Sequence, residues 1–285
     1  MRQSFLLDTS AFRSLSGKTL EEVSQNHSLY TSSYCFWELL THLDEHKNFE
    51  RAEGQFIKFK HVQVLDDPYA AVQTPLLRED LELQSRSSDD ELIYAFLAAF
   101  RDSASLEELY STRLEDSKSR QYEVSDCVAR GQDVLYKEEK KYVESVTSIL
   151  KLIKSGQVRY ETNEDCHEVV LSLVGGWVRG FQQRGASDTE LRERLTTDTY
   201  VYFSYLFHRA LDYLKRKANL DPNDYEDAAL CLHLKLDDTP YCVVTGDQDL
   251  RAILTETTSL LSGLNQPRFR TSLQVIDVAG IQKLS

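Results

Sequence analysis

Across 285 residues, 46 Asp and Glu face 33 Lys and Arg, and the net charge of −13 excludes a protein that grips nucleic acid by a general basic surface. Seven histidines and five cysteines (Cys35, Cys127, Cys166, Cys231, Cys242) keep no CxxC or HxxxH spacing, which argues against a zinc site or a disulfide framework and for free thiols in a reducing compartment. No basic stretch and apolar leader opens the chain and no apolar run approaches the ~20 residues of a membrane span, so a cytoplasmic protein without a membrane partner is expected.

The first predicted element is "SFLLD", a continuous apolar run too short for a helix and ended by turn-forming residues, hence a buried strand. A short helix is expected over "TLEEVSQN", a second strand over "SLYTSSY" and a helix over "FWELLTHLDEH". Another helix around "FERAEGQFIKFK" precedes a third strand, "VQVLD", terminated by Pro68. Strands alternating with helices imply a parallel sheet covered on both faces.

From about Leu76 to Leu220 the pattern changes. "DDELIYAFLAAF", "YVESVTSILKLIKSG" and "DTYVYFSYLFHRALDYLKRK" place apolar residues three and four apart, so a helical block without strands is expected. Within it "LVGGWVRGF" lacks the strand–glycine–helix context of a phosphate loop and reads as a helix break or a close helix contact at Gly175 and Gly176. His167 and His208 read as structural, and Tyr200, Tyr202, Phe203, Tyr205 and Phe207 as core rather than a stacking platform for bases. The chain then reverts to a helix over "DPNDYEDAALCLHLKL", a strand over "PYCVVTGD" and a last strand over "LQVIDV". The expected architecture is an α/β core formed by residues 1–75 and 221–285, with an all-helical insertion over 76–220 packed on it.

Four acids stand out. Asp8 and Asp247 each follow an apolar strand, which in a parallel sheet brings both to the carboxyl edge, where open α/β sheets bind ligands. Either alone is also an ordinary turn residue. Glu38 interrupts Phe36, Trp37, Leu39 and Leu40, where an ionised acid is rarely buried alone; it could equally belong to the polar stripe of a helix. Asp221 caps a helix whose first position is Pro222, and Asp224 and Asp227 follow at intervals of three. The helix dipole accounts for Asp224 but less well for Asp227, which lies beyond the first turn.

Carboxylates converging from four segments repel, and must take up protons or bind cations. All-oxygen donors imply a hard ion, Mg²⁺ or Mn²⁺, and such a site suits phosphodiester hydrolysis.

"FLLDTSAF", "LYTSSYCFWEL", "NDYEDAALCL" and "VVTGDQDL", in that order, resemble the four acidic motifs of PIN-domain nucleases, which include the ribonuclease toxins of bacterial toxin–antitoxin pairs. The resemblance covers roughly the first and last seventy residues. It implies a PIN-like parallel β-sheet sandwiched by helices and hydrolysis of RNA, or in some branches DNA, with divalent metal. Carried over, Asp8, Glu38, Asp227 and Asp247 match the four catalytic and metal-binding acids, and Ser10 and Thr245 the accompanying hydroxyls. Asp224 competes with Asp227 for the third position; Asp224 and Asp249 also stand as spare acids for a second ion. The expected partners are single-stranded or structured RNA and, by resemblance, an antitoxin, another protein or a second copy in a homodimer.

Compact toxins have no counterpart to the helical block. There, Arg209, Lys215, Arg216 and Lys217 precede the third motif and could steer a phosphate backbone, although cations near a helix C-terminus are common for structural reasons. A competing reading is a non-catalytic PIN-like binding or regulatory protein whose insertion engages a partner. A phosphatase using a DxDx(T/V) loop fits poorly, because "DTSAF" lacks the second Asp.

Overall fold

The computed structural model describes residues 2–43, 49–73, 81–115, 119–182, 188–236, 241–263 and 273–284. Its strands are β1 (Ser4–Leu7), β2 (Ser28–Ser32), β3 (Gln63–Leu65), β4 (Arg113–Glu115), β5 (Gln121–Glu123), β6 (Tyr241–Thr245) and β7 (Gln274–Asp277). The helices are α1 (Thr9–Ser14), α2 (Gly17–Asn26), α3 (Ser33–Thr41), α4 (Phe49–Phe56), α5 (Pro68–Gln73), α6 (Leu81–Asp102), α7 (Leu106–Ser111), α8 (Val124–Lys154), α9 (Asn163–Gln182), α10 (Asp188–Arg216), α11 (Tyr225–Leu230), α12 (Gln248–Gly263) and α13 (Val278–Gln282).

Five parallel strands form the central sheet in the order β3-β2-β1-β6-β7. In β1, the central strand, Phe5, Leu6 and Leu7 are all buried, as expected of a strand covered on both faces. From β1 the chain builds outward through β2 and β3 on one side, then returns to β6 and β7 on the other. The topological switch point therefore lies between β1 and β6, the position at which α/β sheets form a crevice at their carboxyl ends. Leu7 pairs with Val244 in register, and the Asp8 amide extends the ladder to the Val244 carbonyl at 3.1 Å.

The α/β class and the long helices α8–α10 match the expectation from the sequence. The block over 76–220 is not wholly helical, however: β4 and β5 form an antiparallel ribbon. Each is three residues long, and β4 buries only Leu114 between exposed Arg113 and Glu115, too short an alternation to register as a period. The helix expected over "DPNDYEDAALCLHLKL" breaks into a 3₁₀ turn (Pro222–Asp224), α11 and a second 3₁₀ turn (Cys231–His233). Strand β2 stops at Ser32, whose hydroxyl accepts from the Tyr34 amide at 3.3 Å and caps α3. Helix α3 ends at Thr41, within the stretch "FWELLTHLDEH"; the boundary expected at residues 75/76 and the last residues of that stretch lie outside the described residues.

Helix α9 runs unbroken through Gly175 and Gly176, and a Cβ at either would meet within 4 Å only Arg179 of the same helix. The close helix approach occurs elsewhere, at Gly131 of α8. A Cβ there would lie 3.0 Å from Trp37 Cε3 and 3.3 Å from Thr41 Cγ2 of α3. Tyr200, Tyr202, Phe203, Tyr205 and Phe207 of α10 are buried in the core, and His167 Nδ1 lies 2.8 Å from the Tyr200 hydroxyl. His208 pairs with Glu256 at 3.0 Å. Among the described residues, no helix is long and apolar enough to cross a membrane.

Candidate functional site

Asp8 is buried at the end of β1, at 4% exposure. The turn into α1 turns its carboxylate back on the helix start. Oδ1 accepts from the Ala11 amide at 2.6 Å, the Ser10 hydroxyl donates to both oxygens at 3.0 and 2.8 Å, and Thr245 Oγ1 donates to Oδ2 at 2.6 Å. Burial raises its pKa despite these bonds, and the charge of Asp247 adds to the rise. Among the described residues no Lys or Arg pairs with it.

The loop after β6 is tied to the same point. Ser10 Oγ accepts from the Gly246 amide at 2.9 Å, and a Cβ on Gly246 would sit 3.0 Å from that hydroxyl. The Asp247 amide donates to Thr245 Oγ1 at 2.8 Å, while Asp247 Oδ1 accepts from the Asp249 and Leu250 amides at 2.6 and 2.9 Å, capping α12. Asp247 is exposed and Asp8 is not. The two expected hydroxyls thus link both strand-end acids.

Asp227 projects from α11 into the fields of Asp8, Asp247 and Asp224. Loss of water around it, and then these three charges, push its carboxyl well above the usual carboxylate range; Arg209 partly opposes them. Asp8, Asp227, Thr31 and Tyr34 line a cavity of about 10 Å³, room for one water. Cys35 also lines it, with a thiol held neutral by burial.

Glu38 is drawn elsewhere. Its Oε1 pairs with Arg13 at 2.9 Å, and its other tie is to Glu226, an acid not singled out from the sequence. Glu226 lines the cavity with Asp8 and Asp227 and accepts from the Thr9 and Tyr225 hydroxyls at 2.9 and 3.1 Å. Burial, Glu38's charge and a hydrogen bond to Glu38 raise its pKa well above the usual range. Because the helix restarts at Tyr225, Glu226 and Asp227 both fall in the first turn of α11, a placement the expected single helix from Pro222 did not show.

The spare acids are neutralised by arginine. Arg209, buried at 7% exposure, donates from Nε to Asp224 and from one terminal nitrogen to Asp249 at 2.9 Å and Asp212 at 3.0 Å. Tyr213 and Tyr142 also donate to Asp224. Arg216 reaches Asp249 at 3.0 Å and Asp212 at 2.8 Å, and its bonds to Asp249 hold that carboxyl below the ordinary range. Of the four cations before the third motif, only Lys215 and Lys217 stand exposed without an ion-pair contact among the described residues. Asp224 therefore belongs to the arginine cluster, whereas Asp227 faces Asp8.

The donors around Asp8 suit a hard divalent cation in kind, since carboxylate and hydroxyl oxygens predominate and Asp8 has no resident counter-charge. Their spacing is wider: among the described residues no group of three or more His, Cys, Asp or Glu is placed to hold a metal ion. No protein-family model, curated protein or solved structure matches the chain.

Proposed function

We propose that the chain is a metal-dependent nuclease of the PIN kind that hydrolyses RNA phosphodiester bonds at the carboxyl edge between β1 and β6. The observation that carries this reading is that Asp8, Asp227 and Asp247 meet at the switch point: Asp8 and Asp227 line one cavity, Thr245 Oγ1 bonds both the Asp8 carboxylate and the Asp247 amide, and Asp8 is buried without an arginine or lysine partner among the described residues. A chain that needed only a turn at this point would gain by replacing one of these acids, because burying like charges without a cation costs several kcal/mol.

Asp8, Asp227 and Asp247 would hold Mg²⁺ or Mn²⁺, which when bound would activate a water and offset charge building on the phosphate. Ser10 and Thr245 fix the Asp8 carboxylate by donating hydrogen bonds and bring no counter-charge to it. Glu38, paired with Arg13, would act at one remove through its charge beside Glu226, which Thr9 and Tyr225 hold against the cavity. Exposed Lys215 and Lys217 supply local positive charge for an RNA backbone on an otherwise acidic chain.

A second reading is a non-catalytic binding or regulatory protein on the same scaffold, with α8–α10 engaging the partner. The wide spacing of the acids favours it. Incubation of the protein with single-stranded RNA and DNA and Mn²⁺ or Mg²⁺ separates the two. The nuclease reading expects cleavage of RNA that a chelator, Asp8→Asn and Asp247→Asn each reduce to background. No cleavage of any substrate, with Mn²⁺ binding also absent, would leave the binding protein.

A further inference from the structure

Away from the acidic edge, an apolar pocket of about 170 Å³ opens where α6 crosses the outer strand β3 and the 3₁₀ turn Ile57–Lys60. Its floor is aromatic: Phe56, Phe59 and Phe100 line it and are themselves nearly fully buried. At the mouth, Ile57 and Tyr94 are 39% and 54% exposed, two of the few large apolar side chains left in water. Tyr94 reaches across to the edge of the sheet, its hydroxyl donating to the Val64 carbonyl at 3.3 Å. That bond occupies an acceptor an edge strand would otherwise present, so this edge is unsuited to adding a strand from another chain.

The charged lining residues are Lys60 and Arg101, both exposed. Arg101 spends only its Nε, on the Leu97 carbonyl at 3.2 Å, and among the described residues neither cation has a carboxylate partner. Their charge is open to a ligand, unlike that of Arg13, Arg209 and Arg216, which pair with acids. Two unneutralised cations beside an aromatic-floored pocket specify a ligand with an apolar body and a negative end. The volume sets the size of the body, since a cavity of ~150 Å³ lined by apolar side chains holds one benzene ring.

We propose that this pocket is a binding site for a small aromatic carboxylic acid, its ring against Phe56, Phe59 and Phe100 and its carboxylate toward Lys60 and Arg101. The site is independent of the acidic edge, and no residue of the candidate nuclease centre contributes to it. The test titrates the full chain with 3-phenylpropanoate, with its neutral amide and with acetyl-Gly-Phe, following the methyl NMR signals of Ile57, Val64 and Leu97. The acid is expected to shift those methyls and the amide to bind at least about fivefold more weakly, the effect of two solvent-exposed charge contacts. The double variant Lys60→Gln/Arg101→Gln, altered only at exposed positions, is expected to bring the acid down to the affinity of the amide. Unshifted methyls, equal binding of acid and amide, or a double variant that binds the acid as before would each overturn the proposal. Acetyl-Gly-Phe binding about tenfold tighter than the acid would overturn it too, by making the occupant the carboxyl end of a protein.

Discussion

A single residue carries the tension of the site. Asp227 has lost much of its water and faces Asp8 and Asp247, and both effects raise its pKa. An acid whose folded pKa lies above its unfolded value binds more protons when folded, so its ionisation costs stability that is regained as pH falls through the raised pKa, down to the ordinary value near 3.9. Asp8 and Glu226 shift in the same direction. Removing this one charge should therefore stabilise the protein: Asp227→Asn is expected to raise the melting temperature at pH 7 by roughly 2–4 °C, the shift that about 1 kcal/mol produces in a large domain, while abolishing cleavage. The gain should shrink as pH falls toward 4, and a variant that melts lower at neutral pH would contradict the repulsion. Asp8 and Asp247 were legible in the sequence because an acid directly after an apolar run is conspicuous. Glu226 was not, because its partner Thr9 lies far along the chain and nothing local marks it; Arg209 stood out in a basic cluster, but its pairing with Asp224 and Asp249 did not.

Helix α8 lies against α3 at a glycine whose missing Cβ sets how near the two can come. Gly131→Ala would gain about 1 kcal/mol of helix propensity, but the added methyl meets the Trp37 ring, itself 2% exposed, which has nowhere to move. Overpacking of this kind costs about 1–3 kcal/mol, so urea unfolding is expected to show a net loss of roughly 1 kcal/mol. Gly175→Ala, with no neighbour closer than Arg179 Nη1 at 3.8 Å, should by contrast be neutral or stabilising. The sequence pointed to the wrong glycines, since a pair of them is a visible signal and packing between distant helices is not. The sheet strands were legible from short apolar runs, and the long helices from their period. The ribbon β4–β5 and the broken helix around α11 escaped, because three-residue strands and 3₁₀ turns are shorter than any pattern that could reveal them.

At the scale of the molecule, the acidic balance is managed in part by burying Arg209 where three elements meet. Arg209 on α10 joins Asp224 before α11 and Asp249 at the start of α12, and so fastens the helical insertion to the sheet domain. Replacing it leaves half-buried Asp224 with tyrosine hydroxyls but no counter-charge, while Asp212 and Asp249 keep Arg216, and Arg209→Ala is expected to lose about 3 kcal/mol in denaturant unfolding. Arg216, exposed and touching the same Asp249, should lose less than about 1 kcal/mol on the same substitution. Equal losses would mean that the cluster is an ordinary surface network. The two-part organisation could be read from the change in periodicity along the chain; the strand order could not, because register and neighbour choice depend on contacts that periodicity does not encode. That order has a consequence for synthesis. Thr245 reaches back across 237 positions to hold Asp8, and β1 has no neighbour on its second side until β6 exists. A chain still emerging from the ribosome therefore holds Asp8 without Asp227 and Asp247, and the acids at this edge come together only once β6 has been made.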